Sequence, residues 1–415
     1  MVNKEVKNPL LLNIKAAVED IVAADKQTFD TLHITDKLRR EILNVLVSYS
    51  DKIPHPASGH GRSHDNGNNA PANTLMRWQI LAYVASIDLA IVKWFESHLD
   101  ALSILHEVGY DTDTQKTDAQ KTDAQKSAQG SASGLWAVWA AEGPPLNFEQ
   151  DAANQQDKTS QQGKVNGTVY GIANGIKAWC SGAHIVDYGL MTYRDKNGDS
   201  QLLIVDMQQE GIAIDGSSWQ AVGMQATDTA TIEFTDVAAE QVGAANAYLE
   251  RVGFWHGAAG VAACWYGATA YLANYLLTSY QHKPNDYKAM YLGEISTAMA
   301  LTQQYFYYVA NLIDSESQHQ QHKHSHELAI RALRANVEQL ARQVLETTGQ
   351  ALGAAPFCTN AHFARLAADL PVFIRQSHGA FDLQKIGELT SASATNLTSK
   401  ATGNESKRQE NLWQL

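Results

Sequence analysis

The spacing of apolar residues along this chain changes period twice. From residue 10 to residue 50 apolar positions recur at helical spacing, as at Leu43, Leu46 and Val47. Residues 54–73, rich in Gly, His, Asn and Pro, predict a long loop. Residues 74–109 form a strongly helical pattern, with Thr74 placed as N-cap and Gly109 as the C′ residue. Between residues 135 and 237 the apolar runs shorten, as at 202–205 and 231–234. Gly, Asn and Asp clusters such as Asn197-Gly198 separate them, which predicts strands joined by hairpins. Helical spacing returns after Gly243, with stretches at 290–313, 328–348 and 360–386. Residues 257–273 are dense in small side chains and permit close helix packing around Cys264 and Trp265. The order predicts an α+β protein: a helical domain over 1–130, a β-domain over 131–240 and a helical bundle over 241–415.

Composition sharpens that picture. A chain of 415 residues exceeds what one growing core organises, so two or three domains are expected. Residues 111–133 contain the tandem repeat Gln115-Lys116-Thr117-Asp118-Ala119 and Gln120-Lys121-Thr122-Asp123-Ala124. Without aromatic or branched aliphatic side chains this segment cannot contribute to a core, so it is expected to be a mobile insertion. The balance of 32 basic and 44 acidic residues gives a net charge of −12, and the basic residues form no stripe. A duplex-binding surface, and with it a nucleic-acid partner, is therefore not expected. Three scattered cysteines, Cys180, Cys264 and Cys358, suit free thiols in a reducing compartment. No apolar segment follows the charged start at 1–7, and the apolar stretch 80–92 is interrupted by Asp88. The expectation is a cytoplasmic protein without membrane insertion.

One run stands out as candidate chemistry: Gly175-Ile176-Lys177-Ala178-Trp179-Cys180-Ser181-Gly182-Ala183. It reads as a strand bent by glycines, with an aromatic, a small hydroxyl and open backbone gathered at one place. Such a place can hold a flat, partly apolar cofactor by stacking and hydrogen bonding; a plain strand and tight turn in a β-barrel has the same signature. A second run, 223–237, holds Gly223-Met224-Gln225-Ala226-Thr227-Asp228-Thr229 and ends in Phe234-Thr235-Asp236-Val237. Together the two resemble the ends of the small β-domain of the acyl-CoA dehydrogenase family. Phe95-Glu96-Ser97-His98-Leu99-Asp100-Ala101-Leu102-Ser103-Ile104-Leu105 and Gly253-Phe254-Trp255-His256-Gly257 resemble the N-terminal domain and the bundle opening of a bacterial subgroup of that family.

The resemblance covers most of the chain. It implies an N-terminal α-helical domain, a middle β-barrel domain and a C-terminal four-helix bundle. It also implies FAD as cofactor and α,β-dehydrogenation of an acyl-CoA or acyl-carrier thioester, with an electron-transfer flavoprotein as acceptor. Trp179 and Ser181 match the family's flavin strand, and the resemblance implies that the Trp179 ring lies against the flavin and the Ser181 hydroxyl reaches its N5. Ala141, in Trp139-Ala140-Ala141-Glu142-Gly143-Pro144, replaces the threonine of the upstream flavin strand, and the usual Gly-Ser-Asp turn is missing. Leu249-Glu250-Arg251 matches the position of the base in isovaleryl-CoA dehydrogenase, so Glu250 is the candidate base and Arg251 a candidate substrate contact. The same position suits an ordinary first-turn glutamate favoured by the helix dipole. The commoner base position falls at Ser377 or His378, and His378 offers an alternative in the manner of flavin monooxygenases sharing this fold. Gly349 and Gly353 lie where the family holds the dinucleotide across a subunit interface, but the family's arginine is missing from 282–287. A homodimer or homotetramer through the bundle is implied. A further reading is a member that binds an acyl or carrier ligand without turnover. His319, His322, His324 and His326, near Glu316 and Glu327, read as a solvated connection rather than a metal site.

Overall fold

Side-chain oxygens begin the first helices of the chain. In the computed structural model, which describes residues 8–28, 32–58, 73–110, 134–150, 168–315 and 322–400, Asn8 caps α1 (Pro9–Ala24) and Thr35 caps α2 (Asp36–Val47). The repeat at 115–124 and most of the expected loop at 54–73 lie outside the described residues. The stretch expected as one helix over 74–109 is two: α3 (Asn73–Ile87) and α4 (Leu89–Glu107). Asp88 causes the break, because its carboxylate accepts the amides of Ala90 and Ile91 and starts a new helix there. Thr74 is not the cap. It lies in the first turn of α3, and its amide and hydroxyl both donate to Asp314. Gly109 follows α4 with a φ of 71°, the left-handed value expected of a C′ glycine.

Seven strands follow: β1 (Trp136–Trp139), β2 (Leu146–Gln150), β3 (Val169–Cys180), β4 (Tyr188–Arg194), β5 (Ser200–Asp206), β6 (Ile212–Asp215) and β7 (Ala230–Val242). They form one sheet in the order β1-β4-β5-β7-β3-β2, with β6 also paired to β7. Asn197-Gly198 sits in the β4–β5 hairpin, as expected. The sheet curls on itself. Lys177 of β3 donates to the carbonyl of Thr192 on β4 at 2.6 Å, although the two strands are three places apart in the sheet. Three strand spacings in a flat sheet come to about 14 Å, beyond a lysine's reach. Two polar residues of the apolar helix α4 carry the sheet. The Ser97 hydroxyl accepts the amide of Val138, and His98 Nδ1 accepts that of Trp136.

The remaining helices are α5 (Ala247–Glu250), α6 (Gly253–His282), α7 (Asp286–Ser315), α8 (Glu327–Leu352), α9 (Ala355–Thr359), α10 (Ala361–Phe373) and α11 (Ala380–Lys400). The stretch expected as one helix over 360–386 is thus also divided. A 3₁₀ turn at Ile374–Gln376 follows Pro371, and Gly379 turns the chain with a φ of 50°. The small residues of α6 are consumed inside the chain. Ala259, Ala262, Ala263 and Ala268 are fully buried, and a Cβ on Gly267 would stand 2.0 Å from the Ala82 carbonyl of α3. That stripe is therefore closed to a second subunit. One continuous core joins α1–α4 to the C-terminal helices, with Trp265 its largest fully buried side chain. A separate core fills the sheet, and a third small cluster joins α4 to β1, β4 and β5.

Candidate functional site

Two places gather chemistry. The first is the end of β3. Trp179 has a φ of 64°, a left-handed backbone that bulky residues seldom adopt, and its side chain is 64% exposed. Its ring meets that of Trp219 edge-on, with centroids 6.1 Å apart. Ser181 follows, partly exposed, and its carbonyl accepts the indole N–H of Trp139 at 3.1 Å. The Ser181 hydroxyl lies 3.0 Å from Thr229 Oγ1, which lies 2.8 Å from Thr227 Oγ1. Helices hold this loop from both sides. Trp94 of α4 donates to the Thr227 carbonyl, and Asp369 of α10 accepts the Met224 amide at 2.6 Å. Burial pushes the Asp369 carboxyl up to about 6, against the pull of that amide. Gly223 allows the close approach, since a Cβ there would stand 2.1 Å from the Ala368 carbonyl. The two runs singled out in the sequence therefore meet, with the second acting as a clamp behind the first.

An exposed indole fixed in a strained conformation beside a half-open hydroxyl fits a flat, polar-edged ring such as a flavin. Ala141 takes no part through a side chain. Its carbonyl accepts Lys177 Nζ at 3.0 Å, beneath the strand. Burial lowers the pKa of that lysine.

The second place is a cavity of about 700 Å³ between residues 55–57, the C-terminal half of α4 and the segment 243–257. Asp100, Ser103 and Glu107 present one face of α4 to it. His55 donates from Nδ1 to Ser103 Oγ at 2.9 Å, because the Ser103 proton is committed to the Leu99 carbonyl. The His55 ring stacks on His106 at 4.7 Å. Burial, then the nearby Arg77 charge, push the His55 pKa down to about 4. Burial and the neighbouring His326 push His256 down to about 3.

Glu250 lines this cavity, but not as a buried base. Its side chain is 62% exposed and its carboxylate pairs with Lys323 at 2.6 Å. Arg251 is buried and already bonded. One Nη donates to Glu107 at 3.0 Å and the other to Asp100 at 3.3 Å, which ties the α5–α6 corner to α4.

His378 lies elsewhere, exposed at the start of α11. Its amide donates to Asp382 and its ring meets Phe381 edge-on. Ser377 donates to Glu338. Both side chains belong to the corner between α10 and α11 rather than to the cavity. Gly349 lies within α8, and Gly353 follows its last turn with a φ of 67°. Of the histidine cluster, His319 and Glu316 lie outside the described residues. His324 pairs with Glu327, and His326 stands 3.1 Å from His256.

Sequence reasoning missed the cavity histidines and a buried carboxylate, Glu96, one turn before Asp100 on the same face of α4. Burial pushes its pKa well above the ordinary carboxylate range. The signal was a run of polar residues, Glu96-Ser97-His98, inside an apolar helix that is buried on nearly every side.

No protein-family model matches the chain, and no curated protein matches it. Solved structures do. Dibenzothiophene monooxygenase (TdsC) from Paenibacillus sp. A11-2, in complex with FMN and indole, is 13% identical over 92% of this chain and 96% of its own, at a TM-score of 0.65. A nitrososynthase from Micromonospora carbonacea var. africana is 14% identical over 93% and 96%, at 0.64. Butyryl-CoA dehydrogenase from Megasphaera elsdenii is 14% identical over 94% and 99%, at 0.63. The chain thus has the acyl-CoA dehydrogenase fold, shared along nearly its whole length with enzymes of more than one chemistry, TdsC among them with FMN bound.

Proposed function

We propose that the chain is a flavin-dependent oxidoreductase that takes a small substrate bearing a basic nitrogen into the cavity beside α4. The lining carries this reading. Its carboxylates, Asp100, Glu107 and Glu250, meet two cations, Arg251 bonded to the first two and Lys323 paired with Glu250, so one negative charge is left over. His55 and His256 are neutral at pH 7 and add no positive charge. A coenzyme A thioester would bring several phosphate charges toward this rim. Each like-charge approach costs on the order of 1 kcal/mol or more near a surface, whereas an ammonium gains by the same amount. A cavity of about 700 Å³ suits one small molecule.

The flavin supplies two-electron redox chemistry when bound. Trp179 would give its ring a stacking face and Ser181 a hydrogen-bonding partner, while burial keeps the cavity histidines from taking up a proton and leaves the substrate nitrogen to the lining carboxylates. Dioxygen would be the electron acceptor in this reading. FMN suits the chain better than the expected FAD. The arginine that the family resemblance leads one to expect is missing from 282–287, which removes a cation for the second phosphate of a dinucleotide.

A second reading has one observation in its favour: Glu250 does line the cavity, as acyl-CoA dehydrogenation with Glu250 as base requires. The two readings separate cleanly. Flavin-loaded protein is mixed anaerobically with small amines and with acyl-CoA thioesters while the flavin absorbance is followed. Amines are expected to perturb or bleach the spectrum and thioesters to leave it unchanged. Bleaching by a thioester that disappears in Glu250→Gln overturns the amine reading. As for assembly, the exposed face of α7 with Tyr287, Met290, Leu301 and Tyr308 is the surface we assign to a second copy.

A further inference from the structure

Three hydroxyls and a carbonyl form a row at the end of β3, and counting their protons fixes the direction of every bond. Thr227 Oγ1 stands 2.8 Å from the Met224 carbonyl oxygen. A carbonyl has no proton to give, so the Thr227 proton lies between them. Thr229 Oγ1 is 2.8 Å from Thr227 Oγ1, and the Thr227 proton is already committed, so Thr229 donates to Thr227. Ser181 Oγ is 3.0 Å from Thr229 Oγ1, and by the same argument Ser181 donates to Thr229. Three contacts use three protons. Thr227 and Thr229 are buried, at 2% and 7% exposure, so water does not readily break the row from within. The Met224 carbonyl at its end is fixed further by the Trp219 indole N–H at 3.3 Å and the Thr227 amide at 3.2 Å.

We infer that the Thr227–Thr229 row polarises Ser181, so that its outward side offers a bound flavin a hydrogen-bond acceptor and no donor. The inference rests on the flavin reading above, with Ser181 beside ring atom N5 as the family resemblance implies. Oxidised flavin carries a lone pair at N5 and two-electron-reduced flavin carries a hydrogen there. An acceptor facing N5 favours the reduced form, so Thr227 and Thr229, which need not touch the cofactor, act as positioning residues for its potential.

The test uses the full chain loaded with FMN. Dissociation constants for oxidised and reduced FMN, and the midpoint potential, are measured in wild type and in variants. Thr227→Val removes the acceptor for Thr229, frees the Thr229 proton to turn toward Ser181, and lets Ser181 donate outward. The ratio of oxidised to reduced dissociation constants should fall about tenfold, which corresponds to about 30 mV lower potential for a two-electron couple. Thr227→Ser keeps the row and should keep the wild-type potential. In a Ser181→Ala background Thr227→Val should shift nothing. Equal potentials in wild type and Thr227→Val, or equal shifts in the Val and Ser variants, overturn the row. Wild-type protein that binds neither FMN nor FAD overturns the flavin reading itself, and this inference with it.

Discussion

The end of β3 and the cavity beside α4 are built in opposite ways. At β3 the functional groups come from two short stretches, 179–181 and 224–229, on a strained backbone, with Trp179 facing outward and Ser181 partly open in front of the buried Thr227 and Thr229. Around the cavity they come from residue 55, from α4 and from 243–257, and most are already bonded to one another. Side chains at β3 are therefore left open to a ligand, whereas Arg251, Asp100 and Glu107 stabilise the fold first. Substitutions should divide accordingly, with stability losses at the cavity and ligand losses at β3.

The largest expected effect is Arg251→Met. It leaves the Glu107 and Asp100 carboxylates facing each other without their cation, and removing one partner of a buried pair costs about 3–5 kcal/mol. These carboxylates are partly exposed, so the lower end is expected, read as the shift in denaturant midpoint. A loss below about 1 kcal/mol would show that the cavity charges are not structural.

Trp179→Ala comes next and should do the reverse. Unfolding stability should stay within about 0.5 kcal/mol, since the ring is exposed. FMN affinity should fall by roughly 1–3 kcal/mol through loss of the stacking face.

Acid should act mainly on the helical side. His98 and His256 have folded pKa values near 3, below the unfolded value of about 6.5. The unfolded chain therefore binds more protons below pH 6.5, and these groups withdraw stability as pH falls from 6.5 toward 3. Glu96 and Asp369 have raised pKa values and run the other way, taking up protons on folding as pH falls. Glu96→Gln should thus steepen the loss of stability between pH 7 and pH 5, followed by thermal unfolding. A slope unchanged from wild type would place Glu96 in water rather than in the core.

The smallest effect is expected at Glu250. Because it is exposed and paired with Lys323, Glu250→Gln should change stability by less than about 0.5 kcal/mol and weaken amine binding only a few-fold.

What could be read from the sequence follows the same division. Gly175 to Ala183 and Gly223 to Val237 are contiguous, so the bend and the gathering of an aromatic and a hydroxyl were visible as local pattern, whereas the exposure of Trp179 and its left-handed backbone were not. The helix–sheet–helix order was equally visible, because its periods change over long stretches. The breaks at Asp88 and at 374–379 were not, since a single capping carboxylate or a proline within an apolar run leaves the periodicity intact on both sides. The state of Glu250 and Arg251 was invisible for a different reason. Whether a charge is free depends on partners far away in sequence, Lys323 for one and Asp100 with Glu107 for the other.

The central claim is that the end of β3 is a flavin site, and direct titration tests it. FMN is added to the flavin-free chain while tryptophan fluorescence is followed, in wild type and in Trp179→Ala. The account predicts one FMN bound per chain, with affinity reduced about tenfold to a hundredfold in the variant. Absence of FMN and FAD binding in the wild type, or equal affinity in the two proteins, would contradict it.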